Sequence, residues 1–298
     1  MTEPKSVFRF GHEAMSTPFE VVAAGRDEDY LRQAASAAFR EIDRIEGILS
    51  RFDPGSDVGR INRLRPGESL RIGIETFECL TAAEDVRLET AGAFDIGFRS
   101  LIQYGWEIEP SGGGFEIRLR ETEAVEGKPS RSPLELDPGG IGKGYALEKA
   151  CAVLAEWGVE RALVHAGTST AFGLGPGPEP GGRLKGWPVG VGGPWAGPGD
   201  PRSVLLADMA LSGSGTEVKG AHILDPRTGR PARGHIAAWA AHPSAAAADA
   251  LSTAFMVMAT AEVEDFCRRR PEVWALVVAD GGRVTIYNRG LLEESREK

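Results

Sequence analysis

LELDPGGIGKGYALEKACAVLAEWGVERALVHAGTSTAFGLG, residues 134–175, sets a short apolar run, a tight glycine turn and a helical pattern in direct succession. Leu134, Leu136 and Asp137 read as the end of a strand, which Pro138, Gly139 and Gly140 break. Gly142 and Gly144 flank Lys143, and apolar Leu147, Cys151 and Leu154 then mark a helix from about Tyr145 to Trp157, stopped by Gly158. Backbone N–H groups in such a turn, beside a helix start and one lysine, suit an anion. Neither familiar phosphate pattern fits. A P-loop needs Gly where Asp137 stands and Ser or Thr where Gly144 stands, and a dinucleotide fingerprint needs Gly where Tyr145 stands. The turn is either a phosphate cradle or a bare connection whose glycines serve conformation alone.

Outward from this stretch, Val7–Phe10 and Phe19–Ala24 read as strands, and residues 27–49 as a helix with one core-facing stripe of Leu31, Ala35, Ala38, Ile42, Ile45 and Leu49. A second helix is expected near 75–90, followed by a loop at Ala91–Asp95. Residues 107–133 suggest a peripheral hairpin with loops, and the Gly/Pro-crowded 173–201 a surface excursion or lid carrying Trp187 and Trp195 as surface anchors or partner contacts. Strands follow at 161–166, at 203–213 ending in Ser212-Gly-Ser-Gly, and at 236–242; Asp225-Pro-Arg-Thr-Gly is first a turn, from which Arg227 could still contact a phosphate. Short turns between strands and helices in separate blocks favour α+β with a mixed, largely antiparallel sheet over a doubly wound fold. Without repeats or a linker-like composition change, the whole chain, 1–298, is expected to form one domain.

The alanine-rich run after Pro243 is a strong helix in which Asp249, Ser252 and Thr253 fall at i, i+3 and i+4, on one face. An aspartate and two hydroxyls in so apolar a helix need partners. They are either a helix-start cluster, with Ser244 as N-cap and Asp249 salt-bridged, or oxygen donors to a hard cation such as Mg²⁺.

The balance of 34 basic against 43 acidic residues, net −9 and without a basic block, argues against a nucleic-acid or anionic-membrane binder. An acidic protein handling a phosphate needs local compensation, for which a metal ion is the usual answer. Cys79, Cys151 and Cys267 are scattered through helical patterns and read as reduced core thiols, and no secretory signal or long apolar run is seen, so a cytoplasmic location is expected. His12, His165, His235 and His242 lack ligand spacing.

Six pieces in order resemble the ApbE family of flavin transferases, which move FMN from FAD onto a Thr or Ser of an acceptor protein. They are Met15-Ser-Thr, LSRFDPGSDVGRIN (49–62), GAFDIG (92–97), LDPGGIGKGYALEKA (136–150), HILDPRTGRPA (222–232) and ADALSTAF (248–255). The resemblance implies a T-fold-like α+β architecture, FAD as substrate, Mg²⁺ as cofactor and an acceptor flavoprotein as partner. It places flavin contacts on Met15, Phe52, Ala93, Phe94, Asp95, Asp137, Lys143 and Ile223, with Phe52 beside the isoalloxazine. Metal donors fall on Gly140, through its carbonyl, and on Asp249, Ser252 and Thr253. Lys143 would stabilise charge in the reaction, and His222 is suited to take the acceptor's hydroxyl proton near neutral pH; the other reading of His222 is a turn residue bonded to backbone. The chain departs from the family at Gly167-Thr168-Ser169, where relatives carry Gly-Gly-Asp or Gly-Gly-Asn, at Thr216–Lys219 and at Tyr104-Gly105-Trp106. FMN transfer, hydrolysis of FAD to FMN and AMP, and flavin binding without turnover all remain compatible with these residues.

Overall fold

The stripe at 27–49 forms a 22-residue helix because its apolar side chains recur on one face, burying Leu31, Ala34, Ala35, Ala38, Phe39, Ile42, Ile45 and Leu49. Asp27 caps its start by accepting the Tyr30 N–H. Ile42 and Ile45 are fully buried, worth about 1.5–3 kcal/mol each. The computed structural model describes residues 6–98, 105–112, 114–120, 134–177, 185–191, 193, 195–196, 200–215, 223–292 and 294–295.

The first half holds β1 (Ser6–Ala14), β2 (Thr17–Gly25), α1 (Glu28–Leu49), α2 (Asp57–Ile61), β3 (Ser69–Ile72), α3 (Ile74–Glu89), β4 (Trp106–Ser111) and β5 (Gly114–Leu119). After a 3₁₀ turn at Pro138–Gly140 come α4 (Gly142–Glu156), β6 (Ala162–Ala166), β7 (Thr170–Leu174), β8 (Trp187–Gly190), β9 (Ser203–Leu206) and β10 (Met209–Gly215). The last third holds β11 (Leu224–Asp225), β12 (Arg230–Pro231), β13 (His235–His242), α5 (Ala245–Val257), α6 (Thr260–Arg269), β14 (Trp274–Ala279), β15 (Val284–Tyr287) and β16 (Glu294–Ser295).

Eight strands form the central sheet in the order β1-β2-β6-β7-β10-β13-β14-β15, every pairing antiparallel. The architecture is α+β. Alternation along the strands separates two cores: Ala238 and Ala240 of β13 and Ala275 and Val277 of β14 face the layer of α1, α4 and α5, while Ala237, Ala241, Trp274, Leu276 and Val278 face the other side, with Val204 and Leu206 of β9. Helix α5 is buried on nearly every side, from Ala245 to Val257, as befits a helix lying between sheet and neighbouring helices. Ser244 caps it through the Ala247 N–H, and Glu148 of α4 accepts the Ser244 hydroxyl and the Ala245 N–H.

Several expectations change. Residues 134–137 are extended but join no ladder: the Asn62 side chain accepts the Leu136 N–H at 2.7 Å and donates to its carbonyl at 3.1 Å, supplying the bonds a neighbouring strand would. Helix α4 begins at Gly142, so Lys143 and Gly144 lie in its first turn. The two N-terminal strands run on to a two-residue turn at Met15 and Ser16, both in the left-handed region (φ 50° and 55°), the geometry that suits a tight hairpin. The described part of 173–201 is no mere surface excursion: it contains the end of β7 and β8, where Trp187 is buried and its ring N–H donates to the Leu174 carbonyl. Trp195 packs on Trp239. The segment 203–213 is two strands, β9 and β10, and the expected hairpin of β4 and β5 lies in a separate sheet in which β5 also pairs with β3. Residues 121–133 lie outside the described residues.

Among the described residues no helix is long and apolar enough to cross a membrane. The three cysteines are free and buried; burial pushes the thiols of Cys79 and Cys267 up to about 12 and raises that of Cys151 as well, which leaves them inert as nucleophiles.

Candidate active site

Asp249 carries the site's charge. On α5 it is 3% exposed, and a buried carboxylate without partners costs several kcal/mol. The fold surrounds it with donors. Its Oδ1 accepts the hydroxyls of Ser212 at 3.1 Å and Thr170 at 3.3 Å; its Oδ2 accepts the Gly144 N–H at 3.1 Å and lies 3.6 Å from the Lys143 ammonium. Lys143 also donates to the Gly139 carbonyl at 3.2 Å. The lysine thus spans the 3₁₀ turn and α5, two elements more than 100 residues apart in sequence.

Glycine makes this approach possible. A Cβ on Gly144 would lie 2.1 Å from the Ala245 carbonyl oxygen and 2.9 Å from the Asp249 Cβ, so α4 meets α5 backbone to backbone. A Cβ on Gly140 would lie 3.1 Å from the Phe94 ring and 3.4 Å from the Thr253 hydroxyl, which seats the turn against the α5 face. Ser252 and Thr253 both donate toward the Asp249 carbonyl, and Ser214 at the end of β10 lies 2.9 Å from the Ser252 hydroxyl.

The segment before the turn is held as firmly. Asp137 Oδ1 accepts the Gly139 N–H, and its own N–H donates to the Ile96 carbonyl at 2.7 Å, joining the turn to the loop that carries Ala93, Phe94 and Asp95. Ala93 and Phe94 are buried, and Asp95 accepts the Gly97 N–H. Arg51 lies 3.3 Å from Asp137 and stacks over the Phe52 ring at 4.3 Å, while Phe52 itself is 81% exposed. An aromatic face so presented suits another flat ring. Met15 at the hairpin tip and Ile223 before β11 are half-buried against the main core.

Gly140, Asp249, Ser252, Thr253 and Lys143 are therefore brought together, with Phe94 against Gly140 and Asp137 one turn away. His222 lies outside the described residues, as do Tyr104 and Thr216–Lys219. Residues 225–229 form the expected turn, and Arg227 within it pairs with Asp225 at 3.0 Å and Glu262 at 2.9 Å. The other histidines have structural partners: His12 bonds Asp43, His165 bonds Glu20, His235 bonds the Phe255 carbonyl, and His242 accepts the Ser244 N–H. Thr170, Ser212 and the Gly144 N–H were missed as partners of Asp249. The one sequence signal was Ser212-Gly-Ser-Gly at a strand end.

Among the described residues no three His, Cys, Asp or Glu side chains cluster as metal ligands. The donors gathered here are one carboxylate, two hydroxyls and backbone carbonyls, oxygen atoms that suit a hard cation and not the thiolate or imidazole sites of zinc. The close seat of Gly140 on Thr253, which any side chain would fill, fits a backbone donor at that position.

The sequence model of the ApbE family matches residues 15–277. The chain belongs to that family. ApbE proteins are transferase enzymes, and the curated relatives carry a common description. The FAD:protein FMN transferase of Salmonella typhimurium is 21% identical, the match covering 90% of this chain and 83% of the relative, and that of Vibrio cholerae serotype O1 is 24% identical over 74% and 71%. Among solved structures, the ApbE protein of Thermotoga maritima superposes with a TM-score of 0.75 at 25% identity, covering 96% of this chain and 98% of its own. The apo flavinyl transferase ApbE of Pseudomonas stutzeri gives 0.74 at 22% identity, covering 96% and 97%, and shares the fold.

Proposed function

We propose that this chain transfers FMN from FAD to a Thr or Ser hydroxyl of an acceptor protein and releases AMP. The observation that carries the reading is the convergence of Lys143 and the Pro138–Gly140 turn on the oxygen-bearing face of α5, with the Lys143 ammonium 3.6 Å from Asp249. Cation and anion sites there share one wall.

Phe52 stacks on the isoalloxazine, and Met15, Ala93, Phe94, Asp95, Asp137 and Ile223 line the flavin end. Asp249, Ser252, Thr253 and the Gly140 carbonyl would hold Mg²⁺, whose charge would offset that of a pyrophosphate. Lys143 binds phosphate oxygens where charge develops. The acceptor oxygen forms its bond to the FMN phosphorus as the phosphorus–oxygen bond to AMP breaks; His222 takes the hydroxyl proton.

The test is incubation of the purified protein with FAD, with and without Mg²⁺ and a Thr-containing acceptor peptide, with AMP and FMN resolved by chromatography. AMP formed only with acceptor, and flavin bound to the peptide, is the expected result. Free FMN and AMP without acceptor would make the chain a hydrolase, and FAD binding without AMP under every condition would make it a flavin-binding protein.

A further inference from the structure

Thr170 and Ser212 stand directly opposite each other on neighbouring strands β7 and β10, with their hydroxyls 2.9 Å apart. Both are buried, at 2% and 0% exposure, and both hydroxyls reach the same oxygen of Asp249. Each hydroxyl carries one proton, so the pair supplies Oδ1 with two hydrogen bonds, or with one while the other proton links the two hydroxyls. On Oδ2 the Gly144 N–H takes one, and the remaining one is left for a cation, the side on which Lys143 lies. The Ser169 carbonyl accepts the Gly213 N–H at 2.7 Å and lies 3.2 Å from the Ser212 hydroxyl, so the β6–β7 turn is bonded to the same strand, β10.

We propose that Thr170 and Ser212 are positioning residues that lock the Asp249 carboxylate in one orientation, with Oδ1 tied to the sheet and Oδ2 presented as a single-oxygen donor to a divalent cation. The inference rests on the metal reading of Asp249 given above. Neither hydroxyl touches the cation; each acts by fixing the ring of bonds around the donor, and loss of such an outer partner weakens metal affinity by about 10–100-fold. Thr170→Val keeps the side chain's shape and removes only the oxygen; Thr170→Ser keeps the oxygen.

The experiment measures Mn²⁺ affinity directly, by the electron paramagnetic resonance signal of the free ion, on the full chain in wild-type form and as Thr170→Val, Thr170→Ser, Ser212→Ala and Asp249→Asn. FAD affinity is measured in parallel from flavin fluorescence in metal-free buffer. The expected result is Mn²⁺ binding by wild type, its loss in Asp249→Asn, about tenfold or more weakening in Thr170→Val and Ser212→Ala, near-wild-type binding by Thr170→Ser, and FAD affinity within about twofold of wild type in the Thr170 and Ser212 variants. Wild-type Mn²⁺ affinity in Thr170→Val and Ser212→Ala, with Asp249→Asn still defective, overturns this inference and leaves the metal reading standing. Parallel loss of FAD affinity in the two variants also overturns it, since the residues would then be holding the site's shape. Absence of Mn²⁺ binding by the wild type overturns the metal reading and this inference together.

Discussion

Gly144→Ala separates the packing argument from ordinary helix propensity. Alanine is the better helix former by about 1 kcal/mol, so propensity alone predicts a more stable protein. The structure predicts the reverse. The new Cβ would fall 2.1 Å from the Ala245 oxygen and 2.6 Å from its carbon, whereas non-bonded carbon atoms settle at about 3.5–4.0 Å. Helices α4 and α5 would have to part by more than about 1 Å. Overpacking of that kind costs about 1–3 kcal/mol, and the 3.1 Å bond from the Gly144 N–H to the Asp249 carboxylate, worth about 1.5–3 kcal/mol for a charged acceptor, would stretch or break. After subtraction of the propensity gain, Gly144→Ala should lose about 1.5–5 kcal/mol in urea unfolding. Gly47→Ala is the control: that glycine is exposed near the end of α1, a Cβ there meets nothing within 4 Å, and the variant should gain up to about 1 kcal/mol. Equal stabilisation of both variants would refute the backbone-to-backbone contact and with it the geometry assigned to Asp249.

Other perturbations probe the chemistry and the frame around it. Asp249→Ala should abolish Mg²⁺-stimulated release of AMP from FAD while flavin affinity, read by fluorescence, persists in part; full Mg²⁺-stimulated activity would remove Asp249 from the site. Lys143→Met should weaken FAD binding by about 10–100-fold, the loss of one charged hydrogen bond, and titration at wild-type affinity would exclude a phosphate contact. At Glu78, burial raises the carboxyl's pKa, but hydrogen bonds from Lys149 and Tyr145 and the Lys149 charge outweigh it, and the net shift is downward. With its folded pKa below the unfolded one, Glu78 contributes stability that is present at neutral pH and is lost as pH falls through the folded value. The urea midpoints of wild type and Glu78→Gln should therefore differ most near pH 7 and converge toward pH 3, and a constant gap would contradict the pairing.

Periodicity made α1 and α5 legible, because a long helix with one buried face, or with nearly all of them buried, leaves its pattern in consecutive residues. The hairpin tip is not legible, because Met15 and Ser16 adopt left-handed conformations that favour Asn or Gly, so the sequence suggests a wider turn than the two residues that form it. Residues 134–137 carried the pattern of a strand end and are extended, yet their partner is the Asn62 side chain, which imitates a ladder without being one. Glycines around Lys143 looked like a loop for the same reason that they are needed in a helix: both uses require the absence of a side chain. Only the identity of what approaches Gly144, the Ala245 carbonyl a hundred residues on, tells them apart.

The site divides along the same line. Asp249, Ser252 and Thr253 share a face by helix geometry alone, so their grouping followed from spacing. The groups that make a buried aspartate tenable come from Gly144, Thr170 and Ser212, separated from it by 105, 79 and 37 residues, and no local pattern encodes such distances. What the sequence did contain was the demand: an ionised carboxylate inside an alanine-rich helix must be met by donors. The fold meets it from two directions, a helix N-terminal turn on one side and a pair of hydroxyls from neighbouring strands on the other. The two sides do different work. The hydroxyls lie deep in the sheet and tie one oxygen; the turn brings Lys143, 22% exposed, to the other. On the function proposed above, the exposed side receives the phosphate-bearing ligand at Lys143, and the buried side holds the Asp249 carboxylate in place beside it.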